Sequence, residues 1–120
     1  MKISEVTKIL GAEVLFGENL LDQEITEFAA SDLLSDILTF TKEGYFLLTG
    51  LTSPQVVRTA ELTGAIAILF VRGKYPPQEA LGLAKSHLIP ILRTEKLMFE
   101  SCKKIVEGLN KVKKDENQLF

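Results

Sequence analysis

This chain of 120 residues holds a single cysteine, Cys102. That rules out an internal disulfide framework and any metal site built from several thiolates of one chain. Met98 and Ile105 flank Cys102 at helical spacing, so the thiol is expected in a core, where it is inert. Long apolar runs are missing too, and nothing here is long enough to cross a bilayer. The opening residues Met1-Lys2-Ile3-Ser4-Glu5 lack the basic-then-apolar order of a secretory leader. Together these absences predict a cytoplasmic protein with no membrane partner.

The usual signatures of phosphoryl transfer, hydrolysis and thiol redox chemistry are also absent. There is no Gly-x-x-x-x-Gly-Lys loop, no Gly-x-Ser-x-Gly elbow and no Cys-x-x-Cys pair. The only histidine, His87, has no Ser, Asp or metal-ligand partner suggested by its position. It reads as a charge at a helix C-terminus or as a surface residue. Tyr45 and Tyr75 are the only tyrosines and the basic residues near the end form one short run, so no stacking platform for nucleic acid is visible. The expectation is a protein that is not an enzyme, carries no cofactor or metal, and does not bind nucleic acid.

What is present describes a globular domain: 46% hydrophobic and 25% charged residues, with a formal net charge of -2. The length suits one domain with one core. Charge divides unevenly along the chain. Residues 1 to 60 carry four Lys and Arg against nine Asp and Glu, and residues 61 to 120 carry ten against seven. Such asymmetry favours self-association or an anionic ligand.

The central feature is the run from Tyr45 to Val71. Tyr45-Phe46-Leu47-Leu48 is an apolar strand that ends in Thr49-Gly50-Leu51-Thr52-Ser53-Pro54. A helix follows with Val56, Val57 and Ala60 inward, and the apolar strand Ala65 to Val71 closes the unit. This is the pattern of a buried parallel βαβ crossover. Ser53 is a natural N-cap with Pro54 at the first helical position, and Gly64 ends the helix.

Before that unit, Ile3, Val6, Ile9 and Leu10 predict a helix stopped by Gly11, and Glu13 to Phe16 predicts a strand followed by a turn. Ile25 to Ala30 reads as a further strand. Ser31 and Asp32 would cap a helix with the stripe Leu33, Leu34, Ile37 and Leu38. After the unit, Arg72 to Pro77 is a loop, and Ala80, Leu81, Ala84 and Leu88 mark another helix. Ile89 to Leu92 is a strand that Pro90 places at or near an edge. Thr94 would cap a last helix with Met98, Cys102, Ile105, Val106 and Leu109 on one face. The expected domain spans residues 1–110, with a polar tail over 111–120 that frays.

In an open parallel sheet, ligands bind beyond the carboxyl ends of the strands, where helix N-termini present free amides. Three such ends would carry Thr49, Gly50, Thr52 and Ser53; Arg72 and Lys74; and Arg93 and Thr94. Brought to one edge, they suit an anionic metabolite or nucleotide. The structural alternative is that Ser53 and Thr94 cap helices, Gly50 turns the chain and the cations are solvated. Asp32 and Asp36, one helical turn apart, are too few for a metal or an acid-base pair. They read as a cap and as an exposed or subunit-contact residue.

The blocks Ser31-Asp32-Leu33-Leu34-Ser35-Asp36, Thr49 to Val57, Arg72-Gly73, Pro76-Pro77 and Ile89-Pro90-Ile91-Leu92-Arg93-Thr94 with Phe99 resemble, in order and spacing, the DRTGG domain family. The likeness runs from Ile25 to Ile105 and departs at the naming motif, where Thr26-Glu27-Phe28 stands in place of Thr-Gly-Gly. It implies an α/β fold like the N-terminal domain of HPr kinase, and a regulatory, ligand-sensing role. It also implies homodimerisation, for which Phe28 and Phe40 are expected as exposed candidates. Stand-alone domains of this kind are often encoded with iron-only hydrogenases. The alternative implied role is therefore an accessory interaction subunit of such a redox complex, with no ligand of its own.

Overall fold

Buried parallel strands read as continuous apolar runs because helices cover both of their faces. In the computed structural model, which describes the backbone of residues 1–118 and the side chains of residues 1–114, β1 (Glu13–Phe16), β2 (Glu27–Ala30), β3 (Tyr45–Thr49), β4 (Ala67–Phe70) and β5 (Ile91–Arg93) form one sheet. Its order is β1-β5-β4-β3-β2. Only β1 runs antiparallel to its neighbour; β2, β3, β4 and β5 are parallel.

The sheet lies between two helical layers. Helices α2 (Leu34–Phe40), α3 (Pro54–Thr63) and α4 (Gln78–Ser86) cover one face. Helices α1 (Ile3–Leu10) and α5 (Met98–Gln118) cover the other. Alternation along each strand separates two cores. Tyr45, Leu47, Ile68, Phe70 and Ile91 point to the α2-α3-α4 side. Phe46, Leu48, Ala67, Leu69 and Leu92 point to the α1-α5 side. Each large side chain fully removed from water contributes roughly 1.5–3 kcal/mol, so the central strands carry much of the stability.

Several local expectations change. Pro90 precedes the ladder, where no donor is required, and its carbonyl accepts the Ile68 N–H at 3.0 Å. β5 is paired on both sides and sits next to the edge strand β1, near the edge as its proline implied. The α2 stripe is only partly used: Ile37 is buried, whereas Leu33, Leu38 and Phe40 are 56%, 53% and 73% exposed. Leu33 is the N-cap and lies outside the helix, and Leu38, about 100° round the helix from Ile37, turns away from the sheet. Ser31 acts at its start, its Oγ accepting the Leu33 N–H at 3.0 Å, while Asp32 reaches elsewhere.

α5 begins at Met98, beyond any cap from Thr94, whose Oγ instead accepts the Lys96 N–H at 3.3 Å. Its backbone stays helical through Gln118, past the point where the polar run begins. Ile105 is buried, Cys102 is half-buried, and Val106 and Leu109 remain 53% and 37% exposed. Desolvation pushes the Cys102 thiol above its ordinary pKa. His87 follows α4 as expected, with Nδ1 3.9 Å from Glu61 of α3.

Candidate functional site

The carboxyl ends of β2, β3, β4 and β5 emerge along one edge, because these strands are parallel neighbours. At the end of β3, Gly50 donates its N–H to Asp32 Oδ1 at 2.6 Å. Thr49 Oγ donates to the same oxygen at 3.2 Å and accepts the Leu51 N–H at 3.1 Å. Asp32, just past β2, thus ties two strand ends together. Thr49 is buried, so its hydroxyl shapes the turn from inside.

Gly50 lets the Arg72 side chain approach the backbone closely. A Cβ there would lie 2.6 Å from Arg72 Nη2, so the guanidinium rests on the glycine backbone. Arg72 itself follows β4 with φ of 63°, a left-handed conformation costing roughly 1–2 kcal/mol for a residue with a Cβ. The turn is held by Arg72 N–H to the Lys96 carbonyl at 2.8 Å and Gly73 N–H to the Thr94 carbonyl at 2.8 Å. Arg72 and Lys74 are exposed and make no ion pair among the described residues.

Beside them α3 starts. Ser53 occupies the N-cap with extended backbone and Pro54 follows, but no side chain among the described residues caps the helix. Ser53 therefore stands where a cap belongs without supplying one. Pro54 has no N–H and the Val56 N–H is taken by the Ser53 carbonyl at 3.1 Å, so the first turn offers the Gln55 amide and the positive end of the helix dipole, an arrangement suited to negative charge. Thr52 is half-buried and Ser53 exposed within the same turn.

Arg93 and Thr94 end up committed inside the protein. Arg93 donates Nε and Nη2 to the Gly73 carbonyl at 3.1 and 2.9 Å, and Nη1 to Glu13 at 3.2 Å. It also pairs with Glu95 and lies 3.9 Å from the centroid of the Tyr75 ring. Burial opposes its charge, but Glu95, Tyr75 and Glu13 outweigh that and raise its pKa above the ordinary arginine value. Arg93 thereby joins β1, β5 and the loop after β4. Thr94 is buried. The structure thus gathers Asp32, Thr49, Gly50, Thr52, Ser53 and Arg72 around one turn, with Lys74 on the next loop.

Asp36 lies apart from this edge. It lines a cavity of about 240 Å³ against β2, together with Glu27, Phe28, Ile37 and Phe40. A second, apolar cavity of about 220 Å³ lies on the other side of β2 and is lined by Phe28, Ala30, Leu48, Cys102, Val106 and Leu109 among others. The sequence carries no signal for either, because both depend on which strand becomes the edge. The Arg93–Glu13 bridge, spanning 80 residues, was equally invisible. Among the described residues no group of three or more His, Cys, Asp or Glu could hold a metal ion, and no helix is long and apolar enough to cross a membrane.

These features define a single α/β domain with a mostly parallel sheet and a polar turn at its strand ends. The chain belongs to the DRTGG domain family, whose model matches residues 5–107. The match takes in α1 and β1, which the sequence blocks starting at Ile25 did not include. No curated protein matches the chain. Among solved structures it is similar to the CBS and DRTGG domains of the regulatory region of a Clostridium perfringens pyrophosphatase, complexed with its activator, diadenosine tetraphosphate. The TM-score is 0.68 at 16% identity, over 87% of this chain and 45% of the other. The chain thus spans less than half of that relative, and the likeness concerns the fold.

Proposed function

We propose that this protein is a non-catalytic regulatory domain, a homodimer, that binds an anionic small molecule or nucleotide at the carboxyl edge of β3 and β4. The observation that carries the reading is the α3 N-terminus, which no side chain caps, beside the Arg72 guanidinium laid over Gly50 and free of any ion pair among the described residues. A phosphate or carboxylate there would take hydrogen bonds from the Gln55 amide and from Arg72. Ser53, Thr52 and Lys74 would complete the surroundings, and Asp32 would hold the turn in shape. The regulatory region of the pyrophosphatase relative, crystallised with a nucleotide activator, supports the ligand class.

Thermal-shift titration with diadenosine tetraphosphate, ATP, ADP, AMP and inorganic phosphate tests this. At least one should raise the melting temperature of the native protein and leave the Arg72→Ala variant unmoved. No stabilisation by any of them would overturn the reading.

A second reading, docking on a hydrogenase-type redox enzyme without a ligand, is favoured by Leu97 and Phe99, which are 60% and 81% exposed at the start of α5. Co-purification with such an enzyme that is lost in Phe99→Ser would favour it.

A further inference from the structure

The two edges of the sheet are built differently. Edge strand β1 is irregular, with its register shifting between Val14 and Phe16. Bulges of this kind discourage further pairing. β2 has no such protection: its ladder with β3 is regular from Glu27 to Ala30 and contains neither proline nor lysine. Its outer side is flanked by the two cavities already described, one on each face of the sheet. Phe40, on the rim of one, is 73% exposed, and Val106, on the rim of the other, is 53% exposed.

Which backbone groups face outward follows from the ladder. The Ser31 N–H bonds to the Leu48 carbonyl of β3. Backbone groups alternate sides along a strand, so Ala29 and Glu27 also point to β3, and Phe28 and Ala30 present N–H and C=O outward. Side chains alternate as well: Phe28 joins the α1-α5 core and Ala29 the α2-α3-α4 core.

We infer that β2 pairs antiparallel with β2 of a second copy of this chain, about a two-fold axis through Ala29. Such an axis keeps each face of the sheet on its own side, so opposed residues must share a face. This leaves two compact registers. With the axis at Ala29, Phe28 lies opposite the partner's Ala30, and both pairs of outward residues exchange N–H···O=C bonds, four in all. With the axis at Phe28, Ala30 would need the partner's Thr26 N–H, which is already bonded to the Gly44 carbonyl. The two bonds that need that N–H would then be lost, so the Ala29 register is favoured.

The same register matches size and charge. The large Phe28 meets the small Ala30, and Glu27 meets the partner's Ser31 instead of a second carboxylate. The product is a continuous ten-stranded sheet that brings the two copies of α2 together on one face and the two copies of α5 together on the other, covering Phe40 and Val106. This surface rests on the homodimer reading above and specifies its interface.

The test uses the full chain in a Cys102→Ala background, with light scattering to establish mass. Ala29 lies at a non-hydrogen-bonded position on the axis, where opposed Cα atoms are about 4.5 Å apart, within disulfide reach. Ala29→Cys should oxidise to a covalent dimer in high yield. Glu27→Cys should not, because its two copies would be four residues out of register, roughly 13 Å apart. Ala30→Pro removes an outward donor that the monomer does not use and should raise the dimer dissociation constant about thirty-fold. A dimer that fails to cross-link at Ala29 overturns this interface while leaving dimerisation intact. A monomeric native chain overturns both.

Discussion

Asp32 Oδ1 accepts the Gly50 N–H at 2.6 Å, so a carboxylate just past β2 fixes the turn at the end of β3. The same oxygen takes the Thr49 hydroxyl at 3.2 Å. One residue thereby sets the shape of the turn leading into the uncapped start of α3. Asp32→Ala should cost about 1–2 kcal/mol in urea unfolding, because a hydrogen bond to a charged acceptor is lost at a partly exposed site. Asp32→Asn, which keeps an oxygen acceptor, should recover about half of that loss. Equal losses in both variants would show that the carboxylate charge, and not its geometry, holds the turn.

Gly50→Ala separates stability from binding. Its Cβ would meet the tip of the Arg72 side chain, which can swing away. The melting temperature should therefore fall by only about 1–3 °C. Stabilisation by an anionic ligand should be lost, because the guanidinium no longer rests beside the α3 N-terminus. Unchanged ligand response in a folded Gly50→Ala protein would remove Arg72 from the site.

Gly17 is a structural requirement of another kind. Its φ is 94°, and an added Cβ would lie 2.9 Å from Pro90 Cα, a backbone atom that cannot rotate aside. Gly17→Ala should destabilise by roughly 2 kcal/mol or more, from left-handed strain plus displacement of the segment leading into β5. Chemical denaturation checks this, and a loss under about 0.5 kcal/mol would contradict it.

Alkaline pH should weaken the fold through two groups. Burial raises the Cys102 thiol pKa, and burial raises that of Tyr45 against the opposing hydrogen bonds from Thr63 and Thr41. A raised folded-state pKa gives stability that is full below the unfolded pKa and lost as pH rises through the folded value. Stability should therefore be flat near neutrality and decline from about pH 8.5, where an unfolded thiol ionises. Cys102→Ser should remove the first part of that decline and leave the part due to Tyr45. A decline unchanged in Cys102→Ser would show that the thiol is not shielded.

The central βαβ unit and the helical layers were legible in the sequence because they rest on local signals. Apolar runs, Pro54 after Ser53, and Gly64 at a helix end each act within a few residues. The DRTGG likeness was legible for the same reason, since its blocks keep their order. Pair choices over long separations were not. Nothing local shows that Arg93 turns to Glu13 and Gly73, or that Asp32 leaves the start of α2 to bind Gly50. Nor does periodicity show that a seven-residue α2 leaves Leu33 and Leu38 in solvent, because a stripe indicates a face but not what covers it.

The central claim is an anion site at the α3 N-terminus beside Arg72, and isothermal titration tests it most directly. Diadenosine tetraphosphate, ATP, ADP, AMP and inorganic phosphate would each be titrated into the native chain, into Arg72→Ala, and into Arg93→Lys as a control for a cation committed elsewhere. The account predicts saturable binding of at least one phosphate compound to the native chain, at least ten-fold weaker in Arg72→Ala and retained in folded Arg93→Lys. Binding that is the same in the native chain and in Arg72→Ala, or no binding by any of these compounds, would contradict it.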